Sequence, residues 1–462
     1  MPATAFTLIE MLVALAVTLV MMAAVVNLFA NISGSVRNRR AVIEISGQLR
    51  QVRLRMARDL AGATCDATTW QQPAENRGYI EILEGRLSDK VPSSLLLDKD
   101  GDGQPFDGFD VATSQVPSSQ VIDPDAGMVT DGRALGDWDD VLALTVRSEA
   151  EPFTMKTDNG TPNDNSDDKV VESTLAEVVW FAGEDDEGDP PPREAGMRRI
   201  YRRALLIAPW LGPWPGRPDH ISVRFENDKW IANTLGDLTK RENRIARNPN
   251  QNPFPHVLRR NDLNSEPQYL VLADALAFDL RVFDPGAPLF QATPTVVVDP
   301  VDLGWQASAK KLGSTNNPPP ETLPVGYGAF CDLGWGWDQA EGVQIYPPAS
   351  LPPGAPAPVF AMQRGAGWHL PTPANYSPFP AVYDTWSYHY ENDGLNQDDN
   401  DVVDQGANGL DDNNQFGVDD MGERETSPPY DVSLRGVKVI LRVYERDARQ
   451  IREASVTHSF VQ

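Results

Sequence analysis

The stretch at residues 5–30, "AFTLIEMLVALAVTLVMMAAVVNLFA", decides how this chain is organised. Met11 to Ala30 carries no charged side chain, and between Phe6 and Val36 the only charge is Glu10. As a helix, the longer span reaches about 46 Å at ~1.5 Å per residue. That length is enough to cross a bilayer core of about 30 Å. The stretch therefore predicts a membrane-spanning helix.

Glu10 needs a partner, because a lone carboxylate at membrane depth costs several kcal/mol. A cleaved secretory signal fits poorly, since the apolar run is too long and the five residues before it carry no Lys or Arg. Cleavage between Ala5 and Phe6 creates a free α-amino group on Phe6. That ammonium on one subunit can meet Glu10 of its neighbour. We therefore predict Ala5 and Phe6 as a processing site and Glu10 as an assembly residue.

The string "A-FTLIEMLVALAV" resembles the prepilin-type cleavage and methylation motif of type IV pilins and type II secretion pseudopilins. The match covers Phe6 to Glu10, with Ala5 where the family usually has Gly. The resemblance implies cleavage before Phe6 by prepilin peptidase and methylation of the new amine. It also implies an inner-membrane protein with a periplasmic body, whose partners are other pilins or pseudopilins and the inner-membrane assembly platform.

The leader "MPATA" departs from this pattern, because it has no basic residue, whereas Arg37, Arg39 and Arg40 follow the span. The positive-inside rule alone favours the opposite orientation. We expect a true start upstream with a basic leader; the alternative is that pilin-type insertion overrides the charge bias.

An amphipathic extension continues the helix beyond the membrane. Apolar residues recur there at three- and four-residue spacing: Val42, Ile45, Leu49, Val52, Met56 and Leu60. This stripe predicts packing on a globular body.

The rest of the chain reads as β-structure. Strands are predicted at 78–83, 140–148, 177–182, 198–207, 220–225 and 275–283, followed by a terminal hairpin in "RGVKVILRVYE" and "REASVTHSFV". A helix followed by antiparallel strands indicates an α+β fold with long irregular insertions. The predicted organisation is a leader (1–5), a pilin helix (6–62, with 6–36 in the membrane), a β-rich body (63–285), an insertion (286–430) and a closing hairpin (431–462).

The closing strands resemble those of the J-type minor pseudopilins and PilW-like minor pilins, in which a short loop usually joins them. Here the Pro/Gly/Asp-rich insertion of residues 286–430 lies between them. Its aromatic residues, among them Trp305, Trp335 and Trp386, argue against pure disorder. They either form a binding surface or pin the insertion to the body; we favour pinning.

The charge and the cysteine content bear on the possible partners and on disulfide bonding. The 462 residues carry a net charge of −26, which argues against nucleic acid as a partner. Cys65 and Cys331 could pair in an oxidising compartment, but the sequence does not show their proximity.

"DKDGDG" at residues 98–103 resembles the opening of a calcium loop, with Asp98, Asp100 and Asp102 at alternate positions. A true EF-hand is not expected, because the twelfth position is Phe109 rather than Glu.

A second acidic cluster, residues 392–420, contains a near-repeat that starts at Asp393 and again at Asn408, fifteen residues later. Repeated alternating oxygen side chains favour calcium as a cofactor; a solvated acidic loop is the alternative. The candidate ligands are Asp393, Asn396, Asp398, Asn400, Asp404, Asn408, Asp411, Asn413 and Asp419.

Catalytic motifs of the hydrolase, nucleotide-binding and zinc-protease types are lacking in the sequence, so no enzyme activity is expected. The prediction is a minor pilin or pseudopilin, a structural subunit of a type II secretion pseudopilus or type IV pilus. The alternative is a membrane-anchored module that binds polysaccharide or protein through its Pro/Trp-rich insertion.

Overall fold

The computed structural model describes residues 8–85, 137–157, 169–183, 198–247, 254–263, 267–293, 296–302, 305, 308–309, 312, 323–338, 343–346, 354–363, 381–398, 400, 402–445 and 450–460. The predicted processing site, Ala5 and Phe6, lies outside the described residues. So does the predicted calcium loop with Asp98, Asp100 and Asp102.

The N-terminal helix α1 runs without interruption from Leu8 to Ala61. Its apolar first part, Leu8–Phe29, is long and apolar enough to cross a membrane and is not covered by the rest of the chain. Its second part buries the predicted stripe from Ile45 to Leu60 against the body, with Val42 half-buried. One helix therefore has two environments, because only its second part is amphipathic.

In the described part of the chain, sixteen strands follow α1. They are β1 (Ile80–Glu84), β2 (Val141–Arg147), β3 (Phe153–Thr157), β4 (Lys169–Ser173), β5 (Leu175–Gly183), β6 (Arg198–Leu206), β7 (Val223–Glu226), β8 (Lys229–Ala232), β9 (Leu270–Thr293), β10 (Val296–Val298), β11 (Gly326–Cys331), β12 (Trp337–Asp338), β13 (Val343–Gln344), β14 (Ala381–Asp384), β15 (Gly436–Glu445) and β16 (Gln450–Ser459). All six strands predicted before the insertion overlap an observed strand.

The main sheet is antiparallel, with the strand order β14-β1-β2-β5-β6-β9-β15-β16; β10 and β11 also pair with β9. The predicted terminal hairpin is β15–β16, in register from Gly436 opposite Ser459 to Glu445 opposite Gln450. The alternating Val437, Val439, Leu441 and Val443 are buried on one face. The α+β fold is confirmed: an N-terminal helix precedes a large antiparallel sheet body.

The insertion contributes to this sheet. The strand β14 pairs with β1 at one edge, and β11 pairs with the second half of β9. An edge position suits a segment rich in proline, which cannot supply a full ladder of N–H donors. The predicted domain boundaries stay predictions, but residues 286–430 share strands with the body.

Each face of the sheet has its own core. On one face, α1 and the insertion pack over residues such as Ile80, Ile82 and Leu142. On the other, residues 235–247 and 254–263, which include the short helix α2 (Leu235–Leu238), cover Tyr79 and Leu83. The sheet is therefore buried on both sides, and strand residues of opposite parity face different cores.

The two cysteines both lie in the described part of the chain and are buried. They belong to the core under α1, and no disulfide joins Cys65 to Cys331.

Candidate functional site

The N-terminal helix presents Glu10 on an uncovered surface. The Glu10 side chain is exposed, as are its apolar neighbours Ile9 and Leu12. Within one chain, the described residues bring no part of the body over this half of α1. The surface therefore fits a bilayer or the helices of other subunits.

A buried ion pair attaches the same helix to the body. Asp59 accepts hydrogen bonds from Arg202 Nε at 2.7 Å and Nη2 at 2.8 Å, and from Trp180 Nε1 at 2.7 Å. All three side chains are buried. A bidentate guanidinium–carboxylate pair adds directional hydrogen bonds to the apolar contacts of α1. The sequence analysis did not identify Asp59, which is one of the two acidic residues of α1 beyond Glu10.

On the opposite face of the sheet, two strand carboxylates meet three arginines. Glu81 of β1 pairs with Arg241 at 2.9 Å, Arg244 at 3.1 Å and Arg247 at 2.6 Å. Asp384 of β14 pairs with Arg244 at 2.8 Å. Burial alone raises the pKa of Glu81, but the three guanidinium groups outweigh it and hold that pKa well below its usual range. This network joins the segment 235–263 to the sheet.

The acidic loop, residues 392–424, folds as the repeat that the sequence predicts. In the first copy, Gly394 N donates to Asp404 Oδ1 at 3.0 Å; in the second, Gly409 N donates to Asp419 Oδ1 at 2.9 Å. Both donors and both acceptors are fifteen residues apart.

Two further hydrogen bonds repeat at the same offset. Leu395 N donates to Asp393 Oδ1, and Leu410 N donates to Asn408 Oδ1. Asn400 N donates to Asp398 Oδ1, and Gln415 N donates to Asn413 Oδ1. The sequence near-repeat is therefore a structural repeat of short turns closed by Asp and Asn side chains.

Two glutamates that the sequence analysis missed close the copies. Glu423 accepts from Asn413 N at 3.0 Å and from Asp420 N at 3.1 Å in the second copy. Glu425 lies beside Asp404 and Gln405, the residues at the equivalent place in the first copy. Glu425 is buried, and burial raises its pKa to about 7 although the backbone N–H groups of Gln405 and Asp404 lower it. A repeat search that extended past Asp420 to "GERE" would have found both residues.

The base of the acidic loop is fixed by Glu391. Its carboxylate accepts from Glu425 N at 2.8 Å and Thr426 N at 3.1 Å, so the two ends of the loop are held together. The indole of Trp386 donates to Thr426 Oγ1 at 2.9 Å. The repeat therefore stands on a buried, hydrogen-bonded platform.

The predicted calcium ligands divide into groups. Asp393 and Asp404 come together at the first turn, and Asp398 lies beside Asn400. In the second copy Asn408 contacts Asp412, and Asn413 reaches Asp420 at 3.5 Å. The remaining candidates take different places: Asn396 bonds to the Asn400 carbonyl, Asp419 closes the second turn, and Asp411 takes part in none of these bonds.

Comparison with known proteins bears on the N terminus. Residues 2–26 match the family described as "Prokaryotic N-terminal methylation motif". No curated protein and no solved structure matched this chain. Together with the apolar helix, the match shows that the chain carries the N terminus of the type IV pilin and pseudopilin family. The chain is thus a type IV pilin-like precursor, and among its described residues α1 is the one helix long and apolar enough to anchor it in a membrane. The motif implies processing by prepilin peptidase and assembly with other pilins.

Proposed function

We propose that this protein is a minor pilin or pseudopilin, a structural subunit that is cut before Phe6 and enters a type IV pilus or type II secretion pseudopilus through α1. The body then lies on the periplasmic side of the inner membrane, and the role is mechanical rather than enzymatic. The observation that carries the proposal is the uncovered apolar half of α1 with Glu10 at its start, in a stretch that matches the methylation motif.

The surroundings of the aromatic residues favour this role over the binding module. Trp305, Trp335 and Trp386 of the insertion are all buried. Trp305 and Trp335 pack edge-to-face with 5.4 Å between their ring centres. Side chains committed to the core cannot stack on a sugar or a partner. Attachment of the insertion to the body, the alternative favoured from the sequence, accounts for the burial of these three residues.

The test combines N-terminal mass analysis with a charge variant. In protein purified from its own membrane, we expect a chain that begins at N-methylated Phe6. Glu10→Gln should still be cut but should be depleted from the filament fraction, because it cannot neutralise a neighbour's ammonium. Glu44→Gln, which changes an exposed carboxylate of the same helix, is the matched control.

A chain that keeps its leader would contradict the proposal and favour the anchored binding module. Normal incorporation of Glu10→Gln into filaments would leave processing in place but remove the assigned role of Glu10.

Calcium binding by the acidic loop is the second part of the proposal. The support is the repeated turn geometry and the buried Glu425 carboxylate, which lies beside Asp404 and Gln405 of the first copy. Calcium prefers six to eight oxygen ligands, and carboxylates with amide oxygens are its usual protein ligands. Each copy offers such oxygens on one short loop and a glutamate to close it.

Thermal melting tests this part. A native-state ligand stabilises by about 2.7 kcal/mol when its free concentration is ~100 times Kd. We therefore expect chelator to lower the Tm of the wild-type chain, and Asp404→Asn to reduce that response. Glu149→Gln, an exposed carboxylate outside the loop, should respond like the wild type. A chelator response that Asp404→Asn leaves unchanged would exclude the first copy as a calcium site.

A further inference from the structure

Three buried carboxylates meet under the helix-side face of the sheet, away from the acidic loop. They are Glu84 at the end of β1, Asp140 immediately before β2, and Asp137 three residues earlier; none is more than 1 % exposed. One carboxylate oxygen from each lies within 4.8 Å of the others. Three like charges therefore share one small, dry space.

The sheet register forces two of them together. The strands β1 and β2 pair as far as Leu83 opposite Val141, so the continuation of this register brings Glu84 alongside Asp140. Like charges directly across a ladder are destabilising. Backbone N–H groups hold both carboxylates in place: Leu333 N donates to Glu84 at 3.1 Å, and Leu280 N donates to Asp140 at 2.7 Å.

Asp137 is the decisive member. Its backbone carbonyl is fixed by Phe278 N at 2.8 Å, yet neither of its carboxylate oxygens has a hydrogen-bond partner, and the residue is 1 % exposed. A buried carboxylate without a donor carries a large desolvation cost. Its oxygen instead faces the two other carboxylates.

No basic side chain among the described residues forms an ion pair with any of the three. Arg281, on β9, pairs bidentately with Asp279 and lies 3.6 Å from Asp332. Arg260 donates to the backbone carbonyls of Asp139 and Ala182. Burial first, and the neighbouring carboxylates second, raise the pKa of Glu84, Asp137 and Asp140. Something other than arginine must balance this charge.

We infer that Glu84, Asp137 and Asp140 form a binding site for one hard divalent cation of the Ca²⁺ or Mg²⁺ class. Oxygens bound to a common Ca²⁺ lie about 2.3–2.6 Å from the ion. Their mutual separations therefore cannot exceed roughly 5 Å, and 4.8 Å satisfies that limit. A set of carboxylates alone is typical of hard cations, because zinc sites usually include His or Cys.

The place of the site suggests what the ion does. One described stretch ends at Gly85, next to Glu84, and the next begins at Asp137, so the cluster lies at both ends of the segment 86–136. A cation bound by Glu84 and Asp137 ties those two ends together. It also removes the repulsion across β1 and β2, and so completes the sheet at this corner.

The experiment counts ions on the full-length chain in detergent. The protein is stripped with chelator and dialysed separately against Ca²⁺ and against Mg²⁺, and bound metal is measured by elemental analysis. We expect Asp137→Asn to lose one ion relative to the wild type with at least one of the two metals. Glu149→Gln, an exposed carboxylate outside both acidic clusters, should match the wild type.

Thermal melting supplies a second readout, the difference in Tm between the wild type and Asp137→Asn, measured in chelator and in metal. In chelator, Asp137→Asn should melt at or above the wild-type temperature, because one repelling charge is gone. In saturating metal the wild type should melt higher, because only it gains the ligand's stabilisation. Glu84→Gln should give both results as well. Because it is an independent variant of the same cluster, it keeps the test valid if Asp137→Asn fails to fold. Equal ion counts in the wild type and both variants, or a wild type that melts no higher than the variants in saturating metal, would overturn the inference and leave bound protons as the balancing charge.

Discussion

Glu81 and Glu84 lie three residues apart on β1 and project from opposite faces of one sheet, but they have opposite electrostatic surroundings. Glu81 faces Arg241, Arg244 and Arg247, all within 3.1 Å. Glu84 faces Asp137 and Asp140. The first carboxylate is neutralised by the chain itself, whereas the second depends on a proton or a cation from outside. Burial alone therefore does not tell whether a charged residue stabilises the fold; the partner decides.

The largest expected effect comes from disrupting the neutralised face, which is the side of the sheet where Glu81 meets the three arginines. Glu81→Ala leaves three buried guanidinium groups with one carboxylate fewer, and removal of one partner of a buried pair costs about 3–5 kcal/mol. Urea unfolding should show this loss in the free energy of unfolding. The control is Glu453→Gln, which removes the half-exposed partner of Arg442 and should cost about 1 kcal/mol or less. Equal losses for the two variants would show that the network is not stabilising.

The pH dependence of the same face has a definite sign. The arginines lower the pKa of Glu81 below its unfolded value, which is about 4.3 for Glu. The contribution of Glu81 is therefore fully present above about pH 4.3 and is lost as the pH falls towards the folded pKa. The free-energy difference between wild type and Glu81→Gln should stay constant from neutral pH to about 5 and shrink below about 4. A difference that grows on acidification would contradict the assigned charge state.

Loss of a carboxylate on the other face, where Glu84 meets Asp137 and Asp140, should change the free energy of unfolding in the opposite direction. In chelator, Glu84→Gln removes one of two like charges across β1 and β2. Like charges directly across a ladder are destabilising. We expect the free energy of unfolding to rise slightly or stay unchanged, in contrast to the loss of about 3–5 kcal/mol at Glu81. A loss of several kcal/mol in chelator would mean that Glu84 has a stabilising partner even without metal.

The sequence predicted the secondary structure of this fold well but not the partners of its buried charges. Period-2 alternation located β15 and β16, and the three- and four-residue spacing located the buried stripe of α1. The fifteen-residue repeat predicted the paired turns at Asp404 and Asp419.

Long-range contacts explain what the sequence did not reveal. Glu81 and Arg247 are 166 residues apart along the chain, and Glu84 meets Asp140 only through the register of β1 and β2. Both glutamates sit in the same apolar run, "YIEILE", where nothing local distinguishes them. Their difference arises from the parity of the strand and from which segment covers each face.

The smallest expected effect uses Cys65, which belongs to the core under α1, as a reporter of the arginine network across the sheet. Its thiol is buried near Arg244 and Asp384, and burial raises its pKa to about 12. At pH 8 only about one thiol in ten thousand is then the reactive thiolate, so native Cys65 should label slowly with iodoacetamide.

Glu81→Ala should speed that labelling, because loosening the arginine network admits water and reagent to the edge of the sheet. Peptide mapping separates Cys65 from Cys331, which is also buried and serves as the internal reference. Faster labelling of Cys65 alone would place the opening at the network, whereas equal acceleration at both cysteines would indicate global unfolding. Rapid labelling of Cys65 in the wild type would show that this face is open before any charge is removed, and the contrast between the two faces of β1 would then lie in solvent access rather than in ion pairing.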